Sequence, residues 1–342
     1  MKTSIKNTLF ASISLFLLLS ACRPHNPPGP PNNCNAKIYG LMSTDWDLSN
    51  SPTFDIVDMQ KPLSGSSQTL STANTFASGN GMLAYPQTTI NTTAGKIIYH
   101  FGNRTPLYVF DMNSNTVTTA SVPGANDILP EYLGSNLYFL SYGNLSGTTV
   151  DLFLKDINNN TVSQFTGFDF SNTGVLDYQM LLSTSDKQNR IFYLANTKII
   201  VYDQSNNTWT DYLLEAFNIN TNQVIYKGIE YVSGNVLYAL RGDYTNTGSE
   251  TLKLVKIDLS NATPQVSVLK DLTTQMSVSA LSVINGNAWV GSTYDSCDDT
   301  YYFTYTDPGN LSSILFEIDV PGNTVQEYPF SGKVLYGLDI DN

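Results

Sequence analysis

Val201-Tyr202-Asp203-Gln204-Ser205-Asn206-Asn207-Thr208-Trp209 reads as a strand, a tight polar turn and the start of a second strand. The apolar run Ile199–Tyr202 supplies β-branched and aromatic side chains. Asp, Ser and Asn then tolerate the left-handed conformation and bond their own backbone, and Thr-Trp restarts the strand. Four other stretches repeat the pattern: Asp111–Val117, Asp156–Val162, Asp258–Pro264 and Asp319–Val325. Their Asp residues fall 45, 47, 55 and 61 residues apart in chain order. That spacing suits a repeated four-stranded unit, the blade of a β-propeller.

Working outward, a strand signal precedes each turn motif. These are Lys96–Tyr99, Asn136–Phe139, Arg190–Tyr193, Asn235–Tyr238 and Asn287–Val290. A sixth pair is Lys37–Leu41 with Thr53–Val57, followed by Asp58-Met-Gln-Lys-Pro62 as a worn copy of the turn. We label each pair strands b and c, with strand d after the turn. Inner strands a are expected at Met82–Gln87, Ile128–Leu133, Val175–Leu182, Ile225–Val232 and Val278–Ile284. The first unit has no room for one, because Cys34 stands almost against its strand b. The orphan run Lys333–Ile340 supplies it. The fold class is therefore all-β, a propeller of six blades closed by the C-terminal strand pairing into the first blade. A seventh, incomplete blade is the alternative.

The composition agrees with strands. Twenty-one Tyr and only 13% charged residues accompany a hydrophobic share of 41%, enough for a substantial core. The net charge of −12 leaves no basic footprint for nucleic acid. A monomer is expected.

The N-terminus reads as an address. Met1–Ala21 carries Lys2 and Lys6, then the apolar run Leu9–Leu19, too short for a comfortable membrane span and apt for a secretory signal. Leu19-Ser20-Ala21-Cys22 resembles the bacterial lipobox. That resemblance implies diacylglyceryl transfer to Cys22, cleavage before it and N-acylation, which together suffice for stable attachment. Arg23 stands where the family's inner-membrane retention signal has Asp, so outer-membrane sorting is implied in a Gram-negative host. Residues 22–35 form a proline-rich spacer, extended rather than packed, and residues 36–342 a single domain.

The stretch Val201–Trp209 resembles the strand–turn–strand of kelch-type propellers, and the body resembles propeller lipoproteins of the cell envelope. Kelch repeats carry a Gly-Gly pair after strand b, and no blade here has one. The resemblance implies the fold and no kelch function.

Cys22 is assigned to lipid, which leaves Cys34 and Cys297 as a candidate disulfide in an oxidising envelope. The strand assignment places them towards opposite faces, where half-cystine geometry fails unless the tail folds back. Both readings stay open.

Sites for chemistry are few. His100 lies within a strand, and no Ser-His-Asp set or zinc spacing can be assembled. Two clusters remain. Glu131, Asp177 and Glu230 fall in inner strands, and Asp339 joins them from the closing strand. Facing the axis, they would hold a divalent cation such as calcium, in the manner of six-bladed lactonases or lyases; pointing between blades, they would make hydrogen bonds. Glu131 and Glu230 each precede a strand-b Asn by five residues, so they should be equivalent. The second cluster is on the b–c loops: Asp45, Trp46, Asp47, Asp243 and Tyr244, with Tyr294, Asp298, Asp299 and Tyr301 in the expected loop Ser292–Ser312. Aromatics beside carboxylates suit a glycan or a protein ligand. Two functions compete. One is a non-catalytic envelope lipoprotein binding through this loop face, with no cofactor. The other is a cation-dependent propeller enzyme using the axial carboxylates.

Overall fold

A computed structural model describes residues 36–44, 53–75, 87–91, 93–100, 107–120, 128–141, 149–156, 161–169, 180–195, 197–215, 224–243, 249–284, 290–307 and 310–340. Every described strand belongs to the unit Asn35–Asn342. Blade one contains β1 (Lys37–Ser43), β2 (Thr53–Gln60) and β3 (Gln68–Thr75). Blade two contains β4 (Gln87–Asn91), β5 (Lys96–His100), β6 (Leu107–Asp111) and β7 (Thr116–Ala120). Blade three contains β8 (Ile128–Leu133), β9 (Asn136–Ser141), β10 (Thr149–Asp156) and β11 (Thr161–Asp169). Blade four contains β12 (Met180–Ser185), β13 (Arg190–Ala195), β14 (Lys198–Asp203) and β15 (Thr208–Leu213). Blade five contains β16 (Val224–Ser233), β17 (Val236–Asp243), β18 (Thr251–Asp258) and β19 (Gln265–Asp271). Blade six contains β20 (Ser292–Asp295), β21 (Thr300–Asp307), β22 (Ser312–Asp319) and β23 (Thr324–Ser331).

The last strand, β24 (Val334–Ile340), returns to pair antiparallel with β1 and becomes the innermost strand of blade one. The first strands of the six sheets touch in cyclic order, β4 to β8, β12, β16, β20, β24 and back to β4. This is a closed six-bladed propeller, with no seventh sheet among the described residues.

The turn motif works as its residues dictate. The Asp111 carboxylate accepts the backbone N–H groups of Asn113 and Ser114, and Asn115 takes φ 55°. Asp203, Asp258 and Asp319 likewise accept from Ser205, Ser260 and Gly322, while Asn207 and Asn323 take φ 52° and 55°. Asn supplies the left-handed residue at low steric cost.

Alternation along each strand then buries both faces of the blades against their neighbours. In blade one, Tyr39, Leu41, Phe54 and Tyr336 pack with Ile97, Tyr99 and Phe110 of blade two. The alternate residues Ile38, Met42, Val57 and Leu335 pack with Tyr302, Leu315 and Phe330 of blade six. The closing strand serves both interfaces. Its Val334, Leu335, Tyr336, Leu338 and Ile340 are all buried.

Blade six departs from the sequence reading. Val278–Ile284 is not its inner strand. Ala280–Ile284 is a short helix, α1, which buries Ala280, Val283 and Ile284 at the i, i+3, i+4 spacing of a helix. The Ser279 hydroxyl accepts the Ser282 N–H as an N-cap. The inner strand is instead Ser292–Asp295, and strand b is Thr300–Asp307, with Tyr301, Tyr302 and Phe303 fully buried. The expected strand-b signal at Asn287–Val290 is outside any described strand. Two other inner strands are displaced: β4 starts at Gln87 rather than ending there, and β12 covers 180–185 rather than 175–182.

Candidate functional site

The turns joining first to second strands share one face of the propeller with the turns joining third to fourth. Lys61, just after β2, reaches Asp295 and Asp298 at the β20–β21 turn, with Nζ 2.5 Å from Asp298 Oδ2. Asp299, in the same turn, accepts hydrogen bonds from the Tyr294 and Tyr238 hydroxyls at 2.9 and 3.2 Å. Four residues expected on the opposite, ligand-binding loop face are therefore placed otherwise. Tyr301 is 0% exposed and Tyr294 8% exposed, both in strands, and Asp298 and Asp299 hold the turn face together. The Tyr-rich run reads as a loop only if blade six begins too early. Asp243 does close β17 on the opposite face, 4.0 Å from Arg241 Nη1, while Arg241 pairs in bidentate fashion with Glu215. Asp45, Trp46, Asp47 and Tyr244 lie outside the described residues, as do Cys22, Cys34 and Asp177.

Cys297 is disulfide-bonded. It sits in the β20–β21 turn, on the face where β1 begins, since Lys37 pairs with Gln60 beside Lys61. Cys297 thus precedes strand b of blade six, where the sequence reading had it follow, and Cys34 lies outside the described residues.

The axial carboxylates are brought together. Glu131, Glu230 and Asp339 line one cavity of about 680 Å³, to which all six inner strands contribute. The strand register explains why. In every blade one inner-strand residue lies opposite the third residue of the second strand. In blades one, three and five it is an acid: Asp339 opposite Tyr39, Glu131 opposite Tyr138, Glu230 opposite Tyr238. In blades two, four and six it is a threonine: Thr89 opposite Ile98, Thr184 opposite Phe192, Thr293 opposite Tyr302. Acid and threonine alternate around the axis, a threefold pattern laid on a sixfold frame.

Two of the acids follow the same local device. Gly228-Ile-Glu230 and Gly337-Leu-Asp339 are bulges with the glycine at φ 57° and 54°. A Cβ at Gly228 would strike the Tyr301 hydroxyl, and one at Gly337 would strike Thr88 Oγ1. Only glycine permits the bulge that sets each acid at the axis.

Two of the acids also bond the following blade: Asp339 Oδ2 accepts the Ile90 N–H at 2.6 Å, and Glu230 Oε1 accepts the Ser292 hydroxyl at 2.5 Å. Facing the axis and joining blades are both true of the same side chains.

Lys187 completes the set, and nothing in the sequence pattern marked it. It stands in the β12–β13 turn at φ 58°, where the Asp186 carboxylate accepts the N–H groups of Gln188, Asn189 and Arg190. Its carbonyl accepts the Gly134 N–H, which ties the turn to blade three. The ammonium lies 3.5 Å from Asp339 Oδ2 and donates to Thr89 Oγ1 at 3.3 Å.

Burial pushes the Glu131 carboxyl up to about 7, against the opposing pull of Lys187. Burial pushes Glu230 up to about 8, and Asp339 is raised for the same reason. Burial alone would lower Lys187, but Asp339, Glu131 and Glu230 hold it above the usual lysine value. Among the described residues no three His, Cys, Asp or Glu side chains stand close enough to share a metal ion, and none of the helices is long and apolar enough to cross a membrane.

No protein-family model matches the chain, and no curated protein matches its sequence. Solved structures match its fold. A TolB candidate from Agrobacterium tumefaciens superposes with a TM-score of 0.50 at 10% identity, over 90% of this chain and 99% of that one. A chain of a nidogen/laminin complex superposes with a TM-score of 0.51 at 10% identity, over 89% of this chain and 98% of that one. The body is a β-propeller. At this identity the likeness carries the fold alone.

Proposed function

We propose that this protein is a lipid-anchored envelope propeller that binds a small polar ligand in its axial cavity, without catalysis. The observation that carries this reading is one cavity of about 680 Å³ lined by the three acids Glu131, Glu230 and Asp339 and by Thr184 and Thr293 between them. Ligand pockets fall in roughly the 300–1,000 Å³ range and combine an apolar wall with a few convergent polar groups. Here Ile90, Ile229 and Leu338 supply the apolar wall and these acids and threonines supply the polar groups. The anchor rests on the lipobox-like Leu19–Cys22 and the proline-rich spacer behind it. Cys22→Ser should move the protein from the membrane to the soluble fraction with its folded body intact; retention in the membrane at wild-type yield would remove the anchor.

A thermal-shift panel of neutral sugars, amino acids and polyamines tests the site. A hit should be lost in Glu230→Gln and kept in Asp243→Asn. The reverse result would move the site to the opposite face, where a glycan or protein ligand was first expected.

One observation favours a second reading, an enzyme of the lactonase or lyase kind. Glu131 and Glu230 keep their protons near neutral pH, as general acids do. Turnover of a lactone or uronate panel that disappears in Glu131→Gln would establish it.

A further inference from the structure

We infer that the axial cavity recognises an ammonium-bearing ligand, a polyamine or a lysine-like amine, and that Lys187 occupies its mouth as a built-in competitor. This deepens the binding reading above and rests on it.

Apart from Asp186, whose carboxylate is taken up by its own turn and by Arg190, the cavity lining holds three carboxylates and one ammonium among the described residues. Asp339 is the only acid of the three within ion-pair distance of Lys187, and that contact is long, at 3.5 Å. Glu230 accepts the Ser292 hydroxyl, and among the described residues neither Glu131 nor Glu230 has a cation within ion-pair distance. Tyr132, which also lines the wall, is 1% exposed, and its hydroxyl has no hydrogen-bond partner among the described residues. A buried hydroxyl in that condition awaits a partner, because an unmet donor or acceptor costs free energy.

The site already shows what it accepts. The Lys187 ammonium meets one carboxylate and one threonine hydroxyl, Asp339 and Thr89. The register puts Thr184 and Thr293, in the blades after Glu131 and Glu230, at the position that Thr89 holds after Asp339, and Thr184 Oγ1 also accepts the Tyr231 N–H. Glu131 and Glu230 thus offer two further acid positions to an ammonium, each without a lysine at ion-pair distance among the described residues. Separated acids suit a ligand with spaced ammonium groups better than a single metal ion, which needs its ligands within one coordination sphere.

Lys187 is placed to yield. Its side chain is 46% exposed, and its contacts with Asp339 and Thr89 are the longest of the cluster. Its backbone is fixed by the Asp186 turn and by Gly134, so the side chain can swing out without loss of the turn.

Isothermal titration of spermidine into the detergent-solubilised full chain tests this, with wild type, Lys187→Met, Glu230→Gln and Lys333→Met compared at one ionic strength. Lys333 is an exposed lysine on the opposite face, so its loss changes net charge alone. Spermidine should bind wild type, bind Lys187→Met about 10-fold more tightly, bind Glu230→Gln at least 10-fold more weakly, and leave Lys333→Met unchanged. Each variant's melting temperature reports whether it is folded. Absence of binding to both wild type and folded Lys187→Met overturns the inference, as does an equal gain in Lys187→Met and Lys333→Met. If spermidine fails while a neutral ligand binds and is lost in Glu230→Gln, the ammonium inference falls and the cavity reading stands. If no ligand depends on Glu230, both fall.

Discussion

Two buried charge clusters sit in this propeller, and they differ in arithmetic and in room. At the junction of blades six and one, Lys61 is clasped by Asp295 and Asp298, with its side chain 9% exposed and that of Asp295 0% exposed. Burial would lower the Lys61 pKa, but its bonds to the two aspartates hold it above the ordinary value. The Tyr302 ring covers the ammonium at 5.7 Å. At the axis, by contrast, three acids meet one half-exposed lysine around an open cavity. The first cluster closes two aspartates on one ammonium with no cavity between them, and it acts as a clasp between the first and last blades. The second carries excess acid beside empty space, and burial raises the pKa of each of its acids. Buried charge that is satisfied belongs to structure; buried acid that holds its proton beside a cavity is poised to exchange it.

The largest effect should come from breaking the ring that both clusters depend on. Deleting Gly332–Asn342 removes five buried apolar side chains of β24 together with Asp339. At about 1.5–3 kcal/mol for each such side chain, the loss matches the whole stability of an ordinary domain. We expect no cooperative melting transition. A transition near that of the wild type would refute closure by β24.

The clasp and the axis should then part company under the same substitution. Lys61→Met leaves Asp295 buried without its cation, which costs about 3–5 kcal/mol. Lys187→Met removes a half-exposed partner at 3.5 Å and should cost less than about 1 kcal/mol. Urea unfolding of both variants checks the contrast, and similar losses would erase it.

The smallest stability effect carries a sign that depends on pH. Folded Glu230 keeps its proton up to about 8, whereas the ordinary Glu value is 4.5. Its stabilising contribution is therefore complete below the ordinary value and is lost as pH rises through the range to about 8. Glu230→Gln cannot ionise. Its melting temperature should exceed that of the wild type at about pH 8.5 and converge with it towards about pH 5. A constant offset across that range would mean that Glu230 ionises normally.

The sequence revealed these regions unequally. The repeated Asp–Asn turn is local chemistry, so Asp111, Asp203 and Asp319 announce their hairpins without any tertiary information. Closure was legible because Lys333–Ile340 had no partner left. Blade six was not. Its inner strand has four residues, and Thr300–Asp307 is buried on both faces, so it lacks the alternation that marks a half-exposed strand. The equivalence of Glu131 and Glu230 followed from their spacing to Asn136 and Asn235. The equivalence of Asp339 was hidden, since its partner strand lies at the other end of the chain and a bulge shifts the count. Lys187 had no signal: a lysine in a polar turn looks solvated until the ring brings blades one and four to a common axis.

The central claim is that Glu131 and Glu230 titrate near neutral pH and surrender their protons to a cation. Carboxyl carbon NMR of the protein labelled at glutamate side chains, titrated with and without spermidine, measures this directly. The account predicts two glutamates titrating near 7 and 8, assigned by loss in Glu131→Gln and Glu230→Gln, with both midpoints falling when spermidine is present. Midpoints for both near the ordinary 4.5, unmoved by spermidine, would contradict it.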